Sequence, residues 1–177
     1  MNLLVTITLF LLMQSTQLLY DFNTGSAPDD WIVIDDGVMG GRSRGIYQLN
    51  NRGHGDFSGK VSLENNGGFS LIRHRLEPVD VTSYSTLQIR LRGDGKRYQL
   101  RIKSKANQRH SYIYSFNTSG EWEVVNIPLR EMVPSFRGMN LPIPDFKEKT
   151  IAEVGILIGN KREESFHLEM DRIVLSP

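Results

Sequence analysis

The chain contains no cysteine. Thiol nucleophiles, thiolate metal sites and disulfides are therefore excluded. Its 177 residues are enough to bury a substantial core without such staples. Charge of one sign is also lacking, since 21 Lys and Arg against 20 Asp and Glu leave a net +1. No global field draws the chain to nucleic acid or to an anionic membrane. Basic residues are missing from the N-terminal region, and the first is Arg42. That argues against an Arg-rich mitochondrial transit peptide. Long apolar runs are missing too, with one exception, Leu3 to Met13. A helical span takes roughly 20 apolar residues, so this run is too short and an integral membrane protein is not expected. Its length fits the apolar core of a secretory signal. Against a normal signal, no Lys or Arg precedes it, and Gln14-Ser15-Thr16 is only a fair cleavage site. Residues 1–16 are expected to be a signal or apolar leader. An exported or periplasmic location is slightly favoured over a cytoplasmic or membrane-associated one. The plainer alternatives are a buried β-strand or a misassigned start.

Residues 17–177 carry no repeat, no low-complexity linker and no convincing helical period. Short apolar alternations separated by Gly, Asn, Asp and Pro predict strands instead. Phe57, Gly59, Val61 and Leu63 alternate with polar residues, as do Leu87, Ile89 and Leu91 and then Tyr98, Leu100 and Ile102. The last two runs flank Gly93-Asp94-Gly95-Lys96 and predict a β-hairpin, aliphatic on one face and basic on the other. Further strands are expected at Tyr112–Phe116, Trp122–Ile127, Ile151–Ile158 and Phe166–Leu175. The apolar parity of the last switches near Asp171-Arg172, which predicts a β-bulge. Prolines 128, 134, 142 and 144 predict a long ordered loop over Glu131–Lys149. The expected architecture is all-β, a single two-sheet sandwich of jelly-roll type.

The most unusual stretch is Asp35-Asp36-Gly37-Val38-Met39-Gly40-Gly41-Arg42-Ser43-Arg44-Gly45. Its glycines permit tight backbone turns, and the aspartates suit capping of backbone N–H groups in a strand connection. Partner binding, an anion nest or a hard-cation site are the functional alternatives. Gly41-Arg42-Ser43-Arg44-Gly45 also satisfies G-x-S-x-G, but a nucleophile elbow needs a helix after the serine. Here Ile46 to Leu49 follows and reads as a strand, so no catalytic serine is expected. The histidines at 54, 74, 110 and 167 lack metal-ligand spacing and are expected to be solvated side chains. No carboxylate spacing identifies an acid–base pair, and no metal or cofactor is expected. Arg90, Arg92, Arg101 and Lys103 form the basic side of the expected hairpin, most simply a solvated face. Tyr112, Tyr114 and Phe116 share a parity that suits core packing, with sugar stacking as the alternative.

Several of these residues together resemble the complex I intermediate-associated protein family of thirty-kilodalton type. They are Trp31, Asp35-Asp36-Gly37-Val38-Met39-Gly40-Gly41 and Ser43; Phe57 with Gly59; Gly68-Phe69-Ser70 with Arg73; Gly93-Asp94-Gly95 with Tyr98; Trp122 with Ile127-Pro128; and Phe136-Arg137-Gly138. The resemblance spans about residues 18 to 175, with Val-Met-Gly-Gly its most specific part. It implies a galactose-binding-like jelly-roll sandwich and a non-catalytic role in assembling respiratory complex I, the NADH:ubiquinone oxidoreductase. The expected partners are subunits or intermediates of that complex. Asp35, Asp36, Met39, Gly40, Gly41, Ser43, Arg73 and Arg137 are the candidate partner-contact residues, with the two arginines expected to converge near Met39. An extracytoplasmic carbohydrate-binding module is the second hypothesis, resting on the implied fold and the aromatic strands. A hydrolase built on Ser43 is the third.

Overall fold

The computed structural model describes residues 15–177. The apolar run at Leu3 to Met13, and with it the choice between leader and strand, lies outside the described residues, as does the side chain of Met39. The first strands are β1 (Gln17–Asp21), β2 (Ile32–Asp35), β3 (Arg44–Leu49), β4 (Gly55–Val61) and β5 (Ser70–Asp80). The middle of the chain forms β6 (Thr86–Arg92), β7 (Arg97–Lys103), β8 (Ser111–Asn117) and β9 (Trp122–Pro128). Then come β10 (Val133–Phe136), β11 (Met139–Asn140), β12 (Thr150–Ile158) and β13 (Glu164–Ser176).

These strands pair antiparallel into two sheets. One runs β3-β4-β13-β6-β9, with β1 beside the C-terminal half of β13. The other runs β11-β10-β8-β7-β12-β5-β2. Period-two alternation explains the sandwich, because each strand turns one row of apolar side chains inward. Phe57, Leu87, Ile89, Leu91, Leu168 and Ile173 fill the core from the first sheet. Ile72, Tyr98, Leu100, Ile102, Val154 and Ile156 meet them from the second. Each such aliphatic or aromatic side chain contributes about 1.5–3 kcal/mol by leaving water. The bulge expected near Asp171 is present as a register shift on β13 between Met170 and Arg172. It lets Met170 and Ile173 both point inward.

The structure corrects two expectations. β6 and β7 are not a hairpin: β6 pairs with β13 and β9, whereas β7 pairs with β12 and β8. The Gly93–Lys96 connection instead crosses between sheets, and Asp94 ties it to both. Its carboxylate accepts hydrogen bonds from Tyr98 Oη at 3.0 Å and from the backbone N–H of His167 at 3.0 Å. The apolar alternation of the two strands is the same for either arrangement, so it does not choose between them. In consequence the basic row is divided. Arg90 and Arg92 lie on the outer side of one sheet, Arg101 and Lys103 on the outer side of the other. The proline-rich segment also differs from a plain loop, since Val133–Phe136 adds to β8 and turns back as β11. Pro134 lies opposite Tyr112 of β8, and its carbonyl accepts from the Leu141 N–H at 2.9 Å where β11 ends.

Candidate functional site

The glycine-rich segment folds around one carboxylate. After β2, Asp36–Met39 makes a 3-10 turn, and Gly40 closes it in the left-handed region at φ 90°. Asp36 is fully buried. Its carboxylate accepts from the backbone N–H groups of Ser43 at 3.0 Å, Gly68 at 2.6 Å and Phe69 at 3.2 Å. The Ser43 hydroxyl donates to it as well. Burial opposes ionisation here, but the Ser43 hydroxyl and these N–H groups outweigh it and hold the carboxyl below its usual value. Gly41 is required by the same packing, because a Cβ there would sit 2.3 Å from the Asp36 side chain. Asp35 accepts from the Gly45 N–H at 3.0 Å and from Ser70 Oγ at 2.6 Å. Asp35, Asp36, Gly41, Ser43, Gly68 and Ser70 therefore form a single brace joining the β2–β3 connection to the start of β5.

Ser43 has no catalytic geometry. Its hydroxyl is buried, donates to Asp36 and accepts from the Ser62 N–H at 2.9 Å. The strand β3 follows it where a nucleophile elbow needs a helix. His167 is exposed as expected, 2.9 Å from Asp56. His54 is not simply solvated, because its ring packs 4.7 Å from that of Trp122. Tyr112 and Phe116 are buried and Tyr114 packs against the core, so this row of rings offers no outward platform.

Arg73 and Arg137 do converge, but on the outer face of the second sheet. They line a groove of about 340 Å³, and none of Asp35, Asp36, Gly40, Gly41 or Ser43 lines it. Its floor follows from strand register. Gly155 on β12 pairs with Arg73 on β5 on one side and with Arg101 on β7 on the other. In the next outward row, Glu153 lies between Arg75 and Lys103. Glu153 is buried and reaches Lys103 Nζ at 3.2 Å and Arg73 at 3.8 Å. One wall comes from the β10–β11 turn. Arg137 and Gly138 occupy its two central positions with φ of 50° and 78°, the left-handed pair that a tight two-residue hairpin needs. Arg137 and Arg109 both pack over the Phe136 ring, at 5.4 and 5.3 Å from its centre.

The groove is electrostatically unbalanced. Arg73, Arg101, Lys103, Arg109 and Arg137 line it against the single carboxylate of Glu153. Burial pushes the Arg101 guanidinium below its usual pKa, and the Glu153 charge opposes that only in part. The hydrogen bond that Arg101 makes among the described residues is to Gln99, at 3.1 Å. Arg73 Nε and Glu153 Oε2 are buried without hydrogen-bond partners. Of this set, Arg73 and Arg137 were legible through the family resemblance, and Arg101 and Lys103 through alternation. Arg109 sits in the β7–β8 connection and carries no sequence signal. Gly155 becomes meaningful only through its register between two arginines.

A family profile described as complex I intermediate-associated protein 30 (CIA30) matches residues 20–170. The mitochondrial protein of that name from Mus musculus is 25% identical over 186 residues, covering 92% of this chain and 56% of the mouse protein. Its namesake from Drosophila melanogaster is 25% identical over 145 residues, covering 70% of this chain and 49% of the fly protein. The chain thus spans about half the length of these curated relatives. Among solved structures, the family 11 carbohydrate-binding module of the Clostridium thermocellum cellulase Lic26A-Cel5E superposes with a TM-score of 0.66 at 14% identity, over 92% of this chain and 94% of the module. The same module type in complex with a mixed-linked tetrasaccharide gives 0.62 at 16% identity, over 91% and 95%. Those likenesses establish the fold as a galactose-binding-like jelly-roll sandwich. With the profile matched across nearly all the described strands, this chain belongs to the complex I intermediate-associated protein 30 family.

Proposed function

We propose that the chain is a non-catalytic protein-binding module that serves the assembly of respiratory complex I. The observation that carries this is the family match over residues 20–170, together with relatives named for association with complex I intermediates. The site geometry agrees with binding rather than chemistry. The Ser43 hydroxyl is committed to Asp36 and Ser62. No helix among the described residues is long and apolar enough to cross a membrane. The partner surface is assigned to the groove holding Arg73 and Arg137. In the same assignment Asp35, Asp36, Gly40, Gly41 and Ser43 act as the brace that fixes β2 and β5 beneath it. Met39 adjoins that brace.

Deleting the gene from its native host tests the proposal. Complex I, measured on native gels and as NADH:ubiquinone oxidoreductase activity, should fall while other respiratory complexes keep their level. Unchanged complex I abundance and activity would sink the assembly role.

The second reading is a carbohydrate-binding module, favoured by the shared fold of modules such as the tetrasaccharide complex. Sugar binding commonly uses aromatic faces, since each offers an apolar platform with polar edges. In this groove the lining ring is Phe136, and two guanidiniums already pack over it. A neutral glycan has little to stack on there, which ranks this reading second.

A further inference from the structure

We infer that the basic groove on the outer face of the second sheet is an anion-binding site that takes carboxylate side chains from an acidic segment of a protein partner. The inference rests on the protein-binding proposal for the choice of partner, and on the groove alone for the charge.

Three observations converge. The first is the charge surplus, with five cations lining the groove against Glu153 alone. Glu153 is already shared by Lys103, Arg73 and Arg75, which leaves Arg101, Arg109 and Arg137 without a carboxylate within ion-pair distance among the described residues. The second is desolvation. A half-buried guanidinium held below its normal pKa is costly unless an anion neutralises it. Arg101 is in that condition, and Arg73 Nε beside it has no acceptor. The third is spacing. Arg73 and Arg101 stand one strand to either side of Gly155, so their Cα atoms are about 10 Å apart by strand spacing. Gly155 itself carries no side chain, and the Leu71 side chain beside it, 3.2 Å from where a Cβ would sit, gives the floor an apolar patch between the two guanidiniums. A carboxylate seated above that patch can be approached from both sides. Arg109 and Arg137, at the wall, are placed to meet a second acidic side chain.

The chemistry favours carboxylate over a neutral ligand. Guanidinium forks match planar carboxylates with paired N–H donors. Arg137 adds an independent indication. It is a non-glycine residue held in the left-handed region at a turn position that asparagine or glycine would adopt more easily. Positions of this kind cluster at ligand clamps.

The test is fluorescence anisotropy on the full chain, with a labelled dodecapeptide of alternating Glu and Gly and its Gln-for-Glu counterpart. Unlabelled trigalacturonate and inorganic phosphate serve as competitors. The variants are Arg101→Met, Arg109→Gln and Arg137→Asn, the last chosen because asparagine suits the same turn. Lys60→Gln, exposed on the other sheet, is the control. The Glu peptide is expected to bind at least ten-fold tighter than the Gln peptide and to weaken with salt. Each groove variant should weaken it about ten-fold, as for loss of one charge-assisted contact, and Lys60→Gln should leave it unchanged. Equal binding of the two peptides, or groove variants that behave like Lys60→Gln, would overturn the inference. So would trigalacturonate or phosphate displacing the peptide at lower concentration than unlabelled Glu peptide does. The two proposals fail separately. Loss of complex I on gene deletion with no peptide binding sinks only the acidic-groove inference. Peptide binding with complex I unaffected sinks only the assembly role.

Discussion

Removing the Asp36 carboxylate is the sharpest perturbation of the glycine-rich segment. In Asp36→Ala the backbone N–H groups of Ser43, Gly68 and Phe69 lose their acceptor, and the Ser43 hydroxyl loses its own. Asp36 is fully buried, so water does not readily replace it. Stranded buried donors cost about 1–3 kcal/mol each. Allowing for relaxation of the connection, a loss of about 4 kcal/mol is expected, a large share of a typical domain's 5–15 kcal/mol. At this chain length that lowers the melting temperature by about 10 °C. Urea unfolding followed by circular dichroism gives the free energy, and a thermal scan gives the shift. The pH dependence supplies a second reading of the same group. The folded carboxyl titrates below its unfolded value. Its stabilisation is therefore complete above an unfolded value of about 4 and drains away as pH falls through the folded value. Asp36→Asn should flatten that acid limb while keeping the side-chain shape. A melting temperature for Asp36→Ala within about 2 °C of the parent, or an Asp36→Asn acid limb as steep as the parent's, would refute the brace.

Other outcomes follow from the same structure. Arg101→Met removes a desolvated charge and should raise stability by about 1 kcal/mol, a melting temperature higher by about 3 °C, while weakening acidic-peptide binding; a lower melting temperature would mean that the guanidinium serves the fold. Ser43→Ala should lose about 1–2 kcal/mol in urea unfolding through its two buried hydrogen bonds. The same variant should be indistinguishable from the parent towards ester substrates and serine-directed probes, and stoichiometric labelling lost with Ser43 would restore the hydrolase hypothesis. A chain truncated to begin at Gln17 should fold as a soluble β-rich domain with a cooperative melt, because β1 begins there; insolubility beside a well-behaved full chain would make the preceding run part of the core.

Alternation within strands is a local property, and it showed through the sequence. Leu87, Ile89 and Leu91, Tyr98, Leu100 and Ile102, and the parity switch at Asp171 fixed the all-β class, the inward rows and the bulge before any pairing was known. The absence of cysteine likewise excluded thiol chemistry without a structure. Strand partners are another matter. Leu87–Leu91 and Tyr98–Ile102 have the same pattern whether they pair with each other or face each other across the core, and only long-range packing placed them in different sheets. That choice divided the basic row, sending Arg101 and Lys103 to join Arg73, Arg109 and Arg137 while Arg90 and Arg92 went to the opposite side. The glycine-rich stretch shows the same division. Its capacity for tight turns was readable from composition. That Gly41 makes room for the carboxylate of Asp36, and that Gly68 and Phe69 supply the donors, depended on segments far apart in the chain being folded together. A groove is assembled from rows that cross strands, and the order of strands in a sheet is set by tertiary structure.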